Sequence, residues 1–159
     1  MPLARETHKL NWRSDMKYSV ERELDLPRDK VIALFEDRDG LFEWQEGLQS
    51  FEHVSGDPGQ PGAVSKLRFK MGKREIDMTE TIQRRDLPDL FSGVYEAEGV
   101  WNLVENHFAD LPEGRTLWRI DTEFQCKGFM RVMAFLMPGM FKKQTAKYMD
   151  LFKKYAEKP

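Results

Sequence analysis

One carboxylate of this chain lies in an apolar setting within a segment that has the alternation of a β-strand. In the stretch "IDMTETI", Glu80 is in phase with Met78 and Ile82. Alternate residues of a strand share one face of the sheet. If that face points inward, burial would raise the pKa of Glu80 and suit it to general acid or base chemistry. The alternative is a carboxylate at a rim, paired with a neighbouring Arg or Lys.

Two amides show the same kind of placement in the stretch "WNLVENHF". Asn102 and Asn106 share a face with Phe108, whereas Trp101 and Leu103 lie on the opposite face. A shift of one residue in strand phase would exchange the two faces. We predict that Asn102 and Asn106 point inward. Trp101 and Leu103 then face outward and mark a candidate surface for a homodimer.

Other kinds of reactive site find no support in the sequence. His53 and His107 are isolated strand residues without the spacing of metal ligands. The single cysteine, Cys126, has no histidine near it in the sequence and is predicted to be a small buried residue. There is no glycine-rich phosphate loop and no G-x-S-x-G motif. The sequence therefore predicts neither a metal site nor a cofactor.

Composition limits the class of protein. The chain has 159 residues, 40% apolar and 33% charged, with a formal net charge of -2. Such a chain is expected to fold, and its charge gives no field that favours nucleic acid. The longest apolar run, Val132 to Phe141, is about half of the roughly 20 residues of a membrane span. We expect a cytoplasmic protein without stable membrane insertion.

The order of predicted elements indicates an α+β domain. Residues 1–15 lack periodicity and are predicted to be a flexible tail, and residues 16–157 a single domain. A strand with the sequence "MKYSVERELDL" precedes two short helices that separate near Gly40. About six strands follow, and the chain closes with one long helix. An antiparallel sheet with helices gathered on one face is the simplest layered arrangement of these elements.

Four stretches make this order similar to a known superfamily. They are "YSVERELDLPRDKVIALFED", "PGAVSKLRF", "MTETI" and "GFMRVMAFLMPGMFKKQTAKYMDLFKKYA". Together they resemble the START/Bet v1-like (SRPBCC) superfamily, and within it the bacterial single-domain proteins described as polyketide cyclase/dehydrase-like. The resemblance implies a helix-grip fold, in which a curved antiparallel sheet of about seven strands surrounds the C-terminal helix. It also implies a ligand cavity between sheet and helix.

The closing segment has features that fit the wall of such a cavity. Apolar residues from Met137 to Tyr155 recur at helical spacing along one face. Before Pro138 the segment is apolar on almost every side, so we expect it to be covered on more than one face. Pro138 cannot donate a hydrogen bond to Ala134, and the helix should bend or break there. Methionine side chains can repack around ligands of different shape, although methionines at this spacing also serve as ordinary core residues.

The predicted cavity wall combines the phased strand residues with the closing helix. Its members are Phe69, Met78, Glu80, Asn102, Asn106, Trp118, Phe124, Met133, Met137 and Phe141. Trp118 has two interpretations, a stacking surface for a ring-bearing ligand or a core tryptophan. Large side chains such as Phe69 and Phe108 leave open whether the cavity is empty or filled.

Three functions fit these features. The first is the binding of a hydrophobic small molecule or lipid, by a carrier or sensor. The second is an enzyme of the cyclase or isomerase type that uses Glu80 as acid or base. The third is docking on anionic lipid through the apolar segment from Phe129 to Phe141, which Lys142 and Lys143 follow. The alternative to the third function is that this segment packs as a lid on the sheet of its own domain, and this is the arrangement that we expect.

Overall fold

The computed structural model describes residues 16–159, so the predicted tail at residues 1–15 lies outside the described residues. The described chain has the predicted order of a strand, two short helices, six strands and a helical C-terminal segment. Its elements are β1 (Met16–Leu24), α1 (Arg28–Glu36), α2 (Arg38–Trp44), β2 (Leu48–Ser55), β3 (Val64–Met71), β4 (Arg74–Asp86), β5 (Leu90–Ala97), β6 (Val100–Leu111), β7 (Arg115–Cys126), α3 (Phe129–Leu136) and α4 (Met140–Ala156), with a short 3₁₀ turn at Pro112–Gly114.

The strands form one seven-stranded antiparallel sheet. Their spatial order is β1-β7-β6-β5-β4-β3-β2, so the chain places its first strand beside its last. From β2 to β7, consecutive strands are neighbours joined by short turns. The α+β prediction is therefore confirmed, and the sheet has β1 and β2 as its two edges.

The hydrophobic core gathers where α1 and the C-terminal half of α4 cover β1, β6 and β7. Trp118 of β7 and Phe152 of α4 are fully buried, with ring centroids 5.0 Å apart at a steep angle. Leu24, Val31 and Met149 are buried around them. Burying each such side chain contributes about 1.5–3 kcal/mol before the entropy cost of ordering it. This cluster fixes α4 against one side of the sheet.

The C-terminal segment is two helices rather than one. The break predicted at Pro138 is present, because α3 ends at Leu136 and α4 begins at Met140. The expectation that the segment before Pro138 is covered on more than one face is wrong. Phe135 is 83% exposed, and within α3 only Ala134 is buried. Helix α3 lies at the end of β7, which is the strand it mainly contacts.

Membrane-spanning helices are absent from the described chain. Within residues 16–159, no helix combines the length and the apolar character needed to cross a bilayer. The apolar helix α3 has eight residues, and at 1.5 Å per residue it is about 12 Å long.

Candidate functional site

A large cavity lies between the sheet and the N-terminal half of α4. Its volume is about 1120 Å³, somewhat above the 300–1,000 Å³ typical of small-molecule sites. Strands β3 to β7 provide most of its floor, α4 crosses above it, and α1 and α2 close one side. The large side chains around this cavity therefore do not fill it.

Seven of the ten predicted wall residues line this cavity. They are Phe69, Met78, Glu80, Asn102, Asn106, Phe124 and Phe141. The strand phase predicted for β4 and β6 is the phase found, so Glu80 and both asparagines lie on the inner face. No bound ligand tests their role, and their assignment to a ligand site stays a prediction.

Trp118 does not line the cavity, although its strand phase was predicted correctly. It lies one step beyond the cavity, in the packed core, with no exposed surface. Its indole N–H donates a hydrogen bond to Oδ1 of Asn106 at 3.0 Å. The side-chain amide of Asn106 in turn donates to the carbonyl oxygen of Phe91 at 3.3 Å. Asn106 thus joins the core to the cavity wall. Of its two predicted roles, Trp118 has that of a core tryptophan.

Met133 and Met137 also lie outside the cavity wall. Both belong to the segment that turns away from the sheet at Pro138, and Met137 is 48% exposed. The helical stripe that faces the cavity starts only after the break, with Phe141, Thr145 and Tyr148. The methionines were placed wrongly because the break at Pro138 changes the direction of the chain, and the spacing of apolar residues does not show that direction.

Glu80 belongs to a polar cluster in an otherwise apolar wall. It is half-buried and lies directly opposite Tyr95 in the β4–β5 register. Burial raises the pKa of Glu80 above its ordinary value. A hydrogen bond with the Tyr95 hydroxyl and the positive charge of Arg38 act in the opposite direction without cancelling this effect. The Glu80 carboxyl group therefore keeps its proton to higher pH than an exposed glutamate.

Two tyrosines share the environment of Glu80. Burial, with a further contribution from the negative charge of Glu80, raises the pKa of both Tyr95 and Tyr148. Both phenols therefore remain protonated donors at neutral pH. Tyr148 reaches the cavity from α4 and accepts a hydrogen bond from the side-chain amide of Gln45 at 3.4 Å. Donors from sheet and helix thus flank one carboxyl group.

Asn102 offers a separate polar contact farther along β6. The Thr122 hydroxyl lies 2.7 Å from Oδ1 of Asn102 and 2.9 Å from the carbonyl oxygen of Leu103, and donates to one of them at a time. Since Oδ1 faces this hydroxyl, the amide nitrogen of Asn102 is the donor that a ligand can use. The wall therefore provides an acid–phenol cluster and an amide donor at different places.

Sequence reasoning missed Arg38, Gln45 and Tyr95. Arg38 and Gln45 come from α2, and no periodic pattern shows that this helix reaches the cavity. Tyr95 becomes a neighbour of Glu80 only through the β4–β5 register. In the sequence, this contact could be found only by pairing the two strands that the "RDLPD" turn connects. Tyr148, by contrast, was part of the apolar stripe predicted for the closing helix.

The histidines and the cysteine discussed above lie away from the cavity. His53, His107 and Cys126 are outside the cavity wall. Cys126 is buried, as predicted. His107 lies 3.3 Å from the Asp121 carboxylate, which also contacts Arg119. Across residues 16–159, the structure contains no group of three or more His, Cys, Asp or Glu side chains arranged to hold a metal ion.

The cavity mouth near α3 is shaped by the β5–β6 turn. The backbone N–H of Lys127 donates to the carbonyl oxygen of Gly99 at 2.9 Å. Gly99 has a φ of +73°, and a Cβ there would lie 3.0 Å from the Lys127 oxygen and 3.3 Å from Cγ of Met130. Glycine at this position therefore allows the start of α3 to pack directly on the turn. Residues 127–130 form part of the cavity rim as a result.

Comparisons with solved structures identify the fold. The Zhui aromatase/cyclase from Streptomyces sp. R1128 aligns over 89% of this chain and 93% of its own, with a TM-score of 0.75 and 12% identity. The protein Ara h 8.0201 aligns over 89% and 97%, with a TM-score of 0.68 and 16% identity. The chain has the Bet v1-like helix-grip fold. The predicted resemblance is thereby confirmed at the level of the fold.

A third similar structure is that of an enzyme. A norcoclaurine synthase point mutant from Thalictrum flavum, in complex with a transition-state analogue, aligns over 89% of this chain and 93% of its own. Its TM-score is 0.67 and its identity 14%. No family model and no curated protein matches this chain. The likeness is therefore one of fold, and a function must be argued from the site.

Proposed function

We propose that this protein binds a hydrophobic small molecule or lipid in the cavity between the sheet and α4, as a carrier or sensor. The observation that carries this proposal is the open cavity of about 1120 Å³. Phe69, Phe124 and Phe141 give it an aromatic lining. A void of this size costs stability in a domain that could otherwise pack it. Similar folds include a synthase that holds a transition-state analogue, which supports a ligand-binding cavity.

The polar cluster defines the kind of ligand. Glu80, Tyr95 and Tyr148 present a carboxyl group and two phenols to one region of the cavity, and the wall around them is mainly apolar. A few polar groups in an apolar pocket fix ligand orientation. The proposed ligand therefore has an apolar body and one hydrogen-bonding group. Its polar group lies at Glu80, and its apolar part extends towards Phe124 and Phe141.

A fluorescent probe tests the cavity directly. The amphiphilic dye 1-anilinonaphthalene-8-sulfonate, whose aromatic rings favour apolar pockets, is titrated into the wild-type protein and into Met78→Trp, which fills the cavity from its β4 floor. We expect the substitution to weaken dye binding about tenfold or more, since the loss of one to two kcal/mol of contact corresponds to such a factor. The melting temperature should fall little, because the new ring occupies empty space.

A matched variant controls for the added tryptophan. Val54 is 48% exposed on β2 and does not line the cavity, so Val54→Trp should bind the dye as the wild type does. Equal dye binding by the wild type and Met78→Trp would contradict the proposal. Independently of the dye, native mass spectrometry of protein purified from cells, followed by denaturing extraction, would identify the class of any natural ligand.

A second candidate function is acid–base catalysis in the same cavity. It is favoured by one observation, the raised pKa of Glu80 beside two protonated phenols. Such a carboxyl group can exchange a proton with a carbon next to a carbonyl, while a phenol donates to the developing enolate oxygen. The Zhui aromatase/cyclase shares the fold, which supports the comparison without assigning its reaction to this chain.

Proton exchange separates the two functions. With 2-tetralone as probe, NMR in D₂O follows the exchange of the protons beside the carbonyl. An enzyme should accelerate this exchange, and Glu80→Gln should abolish the acceleration while dye binding persists. If the wild-type protein binds the dye and leaves exchange at the buffer rate, catalysis of this kind is excluded and binding alone remains.

A further inference from the structure

The segment around α3 is strongly positive in a chain that is negative overall. Residues 124–149 contain no Asp or Glu, whereas the whole chain has a net charge of -2. The cations of this segment are Lys127, Arg131, Lys142, Lys143 and Lys147. Lys147 pairs with Glu46 at 2.7 Å. The other four side chains are exposed and flank or lie on α3.

The same segment exposes an unusual amount of apolar surface. Its exposed apolar residues are Phe129 (67%), Val132 (52%), Phe135 (83%), Leu136 (66%) and Met137 (48%). Single exposed apolar residues are common on protein surfaces, but a contiguous group marks a contact site. Here the group is one helix of eight residues between cations at both ends.

This apolar group lies at the mouth of the cavity. Gly128, Phe129 and Met130 form part of the rim. The start of α3, the β5–β6 turn and the β3–β4 turn all lie at the same end of the strands, as the strand registers require. On the β3–β4 side of the mouth, Met71 is 44% exposed and also lines the cavity. Exposed apolar side chains therefore stand on two sides of one opening.

We propose that α3 docks on the surface of a lipid bilayer that contains anionic lipid, with the cavity mouth against the membrane. The apolar side chains of α3 enter the region between headgroups and acyl chains, and the flanking cations contact anionic headgroups. Docking itself does not depend on the cavity. Its consequence, passage of a ligand between bilayer and cavity, rests on the function proposed above.

Charge favours a bilayer over a second copy of the chain. In a two-fold dimer the same patch of each copy meets itself. A dimer through α3 would therefore bring two acid-free, cationic segments together, at a cost in like-charge repulsion. Glu98 lies on the β5–β6 turn and Glu75 at the start of β4, so neither belongs to the acid-free segment. An anionic bilayer supplies both the countercharge and an apolar environment.

Sedimentation with vesicles tests the proposal. Wild-type protein is mixed with phosphatidylcholine vesicles, with and without phosphatidylglycerol. We expect binding that requires phosphatidylglycerol and weakens as salt increases. The double variant Lys142→Glu/Lys143→Glu should bind about tenfold more weakly or worse, since each cation near an anionic surface contributes about fivefold. Phe135→Ser/Leu136→Ser should also lose most binding.

Matched variants keep the outcome specific. Lys154→Glu/Lys158→Glu makes the same change in net charge at the far end of α4, and Phe42→Ser removes another exposed aromatic ring, on α2. Both should bind vesicles as the wild type does. Far-ultraviolet circular dichroism of each variant checks that the fold is intact.

Three results would overturn the proposal. The first is sedimentation that is the same with and without phosphatidylglycerol. The second is binding that the α3 variants leave unchanged. The third is a dimer, seen by light scattering, that Phe135→Ser/Leu136→Ser dissociates while vesicles bind nothing. Dye titration of the wild-type protein keeps the two proposals apart, because wild-type protein that binds the dye but not the vesicles contradicts docking alone.

Discussion

The two halves of the sheet use their inner faces differently. On β1, β6 and β7, beside the C-terminal half of α4, Trp118, Phe108 and Phe152 pack into a closed aromatic core. On β3, β4 and β5, beside the N-terminal half of α4, Phe69 and Met78 face open space. In both halves, alternate strand residues place large apolar side chains on the inner face of the sheet. The difference lies in what covers them.

This difference separates stability from binding. A side chain of the aromatic core contacts neighbours on all sides, and its removal leaves a cavity that costs free energy. A side chain of the cavity wall already borders a void, so its removal enlarges that void and breaks fewer contacts. Equal substitutions in the two halves should therefore have unequal effects on the free energy of unfolding.

The largest effect is expected from truncating the core. Trp118→Ala should lower the free energy of unfolding by about 3–5 kcal/mol, because Trp118 has no exposed surface and its loss also removes the hydrogen bond to Oδ1 of Asn106. Phe69→Ala, in the cavity wall, should cost about 1 kcal/mol or less. Urea denaturation of both variants measures the difference. Similar losses would contradict the division between core and cavity.

The two asparagines of β6 provide a finer test. Asn106→Ala should cost about 1–3 kcal/mol, because it leaves the buried indole N–H of Trp118 without a partner and removes the hydrogen bond to the carbonyl oxygen of Phe91. Asn102→Ala should cost less than about 1 kcal/mol, because the Thr122 hydroxyl can donate to Leu103 instead. The same denaturation experiment compares them. A larger loss for Asn102 would show that the cavity wall contributes more to stability than the contact with the core.

Glu80 should produce the smallest effect, and one that depends on pH. Burial raises its pKa in the folded state above the ordinary value of 4.5. The stability associated with its neutral form is therefore present below that value and is lost as pH rises through the folded-state pKa. Glu80→Gln, which stays neutral, should gain stability relative to the wild type over the same range. A difference between the two proteins that stays constant with pH would contradict this.

The features of the fold that depend on short stretches of sequence were predicted correctly. The phase of β4 and β6 follows from alternation within a few residues, and it placed Glu80, Asn102 and Asn106 on the inner face. The helix break follows from the missing N–H of Pro138. These features depend on neighbours in the sequence, which the sequence shows directly.

The rest of the site depends on contacts distant in sequence. Trp118 has the correct phase, but whether it meets a ligand or Phe152 depends on where α4 crosses the sheet. The exposure of Phe135 depends on the direction that α3 takes after β7. Arg38 and Gln45 reach the cavity because α2 packs on α4 through Trp44 and Tyr148, with ring centroids 4.6 Å apart. No short-range pattern contains this information.

The single helix α4 also has a consequence for how sequences of this fold can diverge. Phe141 and Thr145 border the cavity, whereas Met149 and Phe152, in the C-terminal half of the same helix, belong to the core. Substitutions in the first pair should change what the pocket accepts at little cost in folding, while substitutions in the second pair should destabilise the fold. Binding preference can thus drift along the same helix that preserves the architecture.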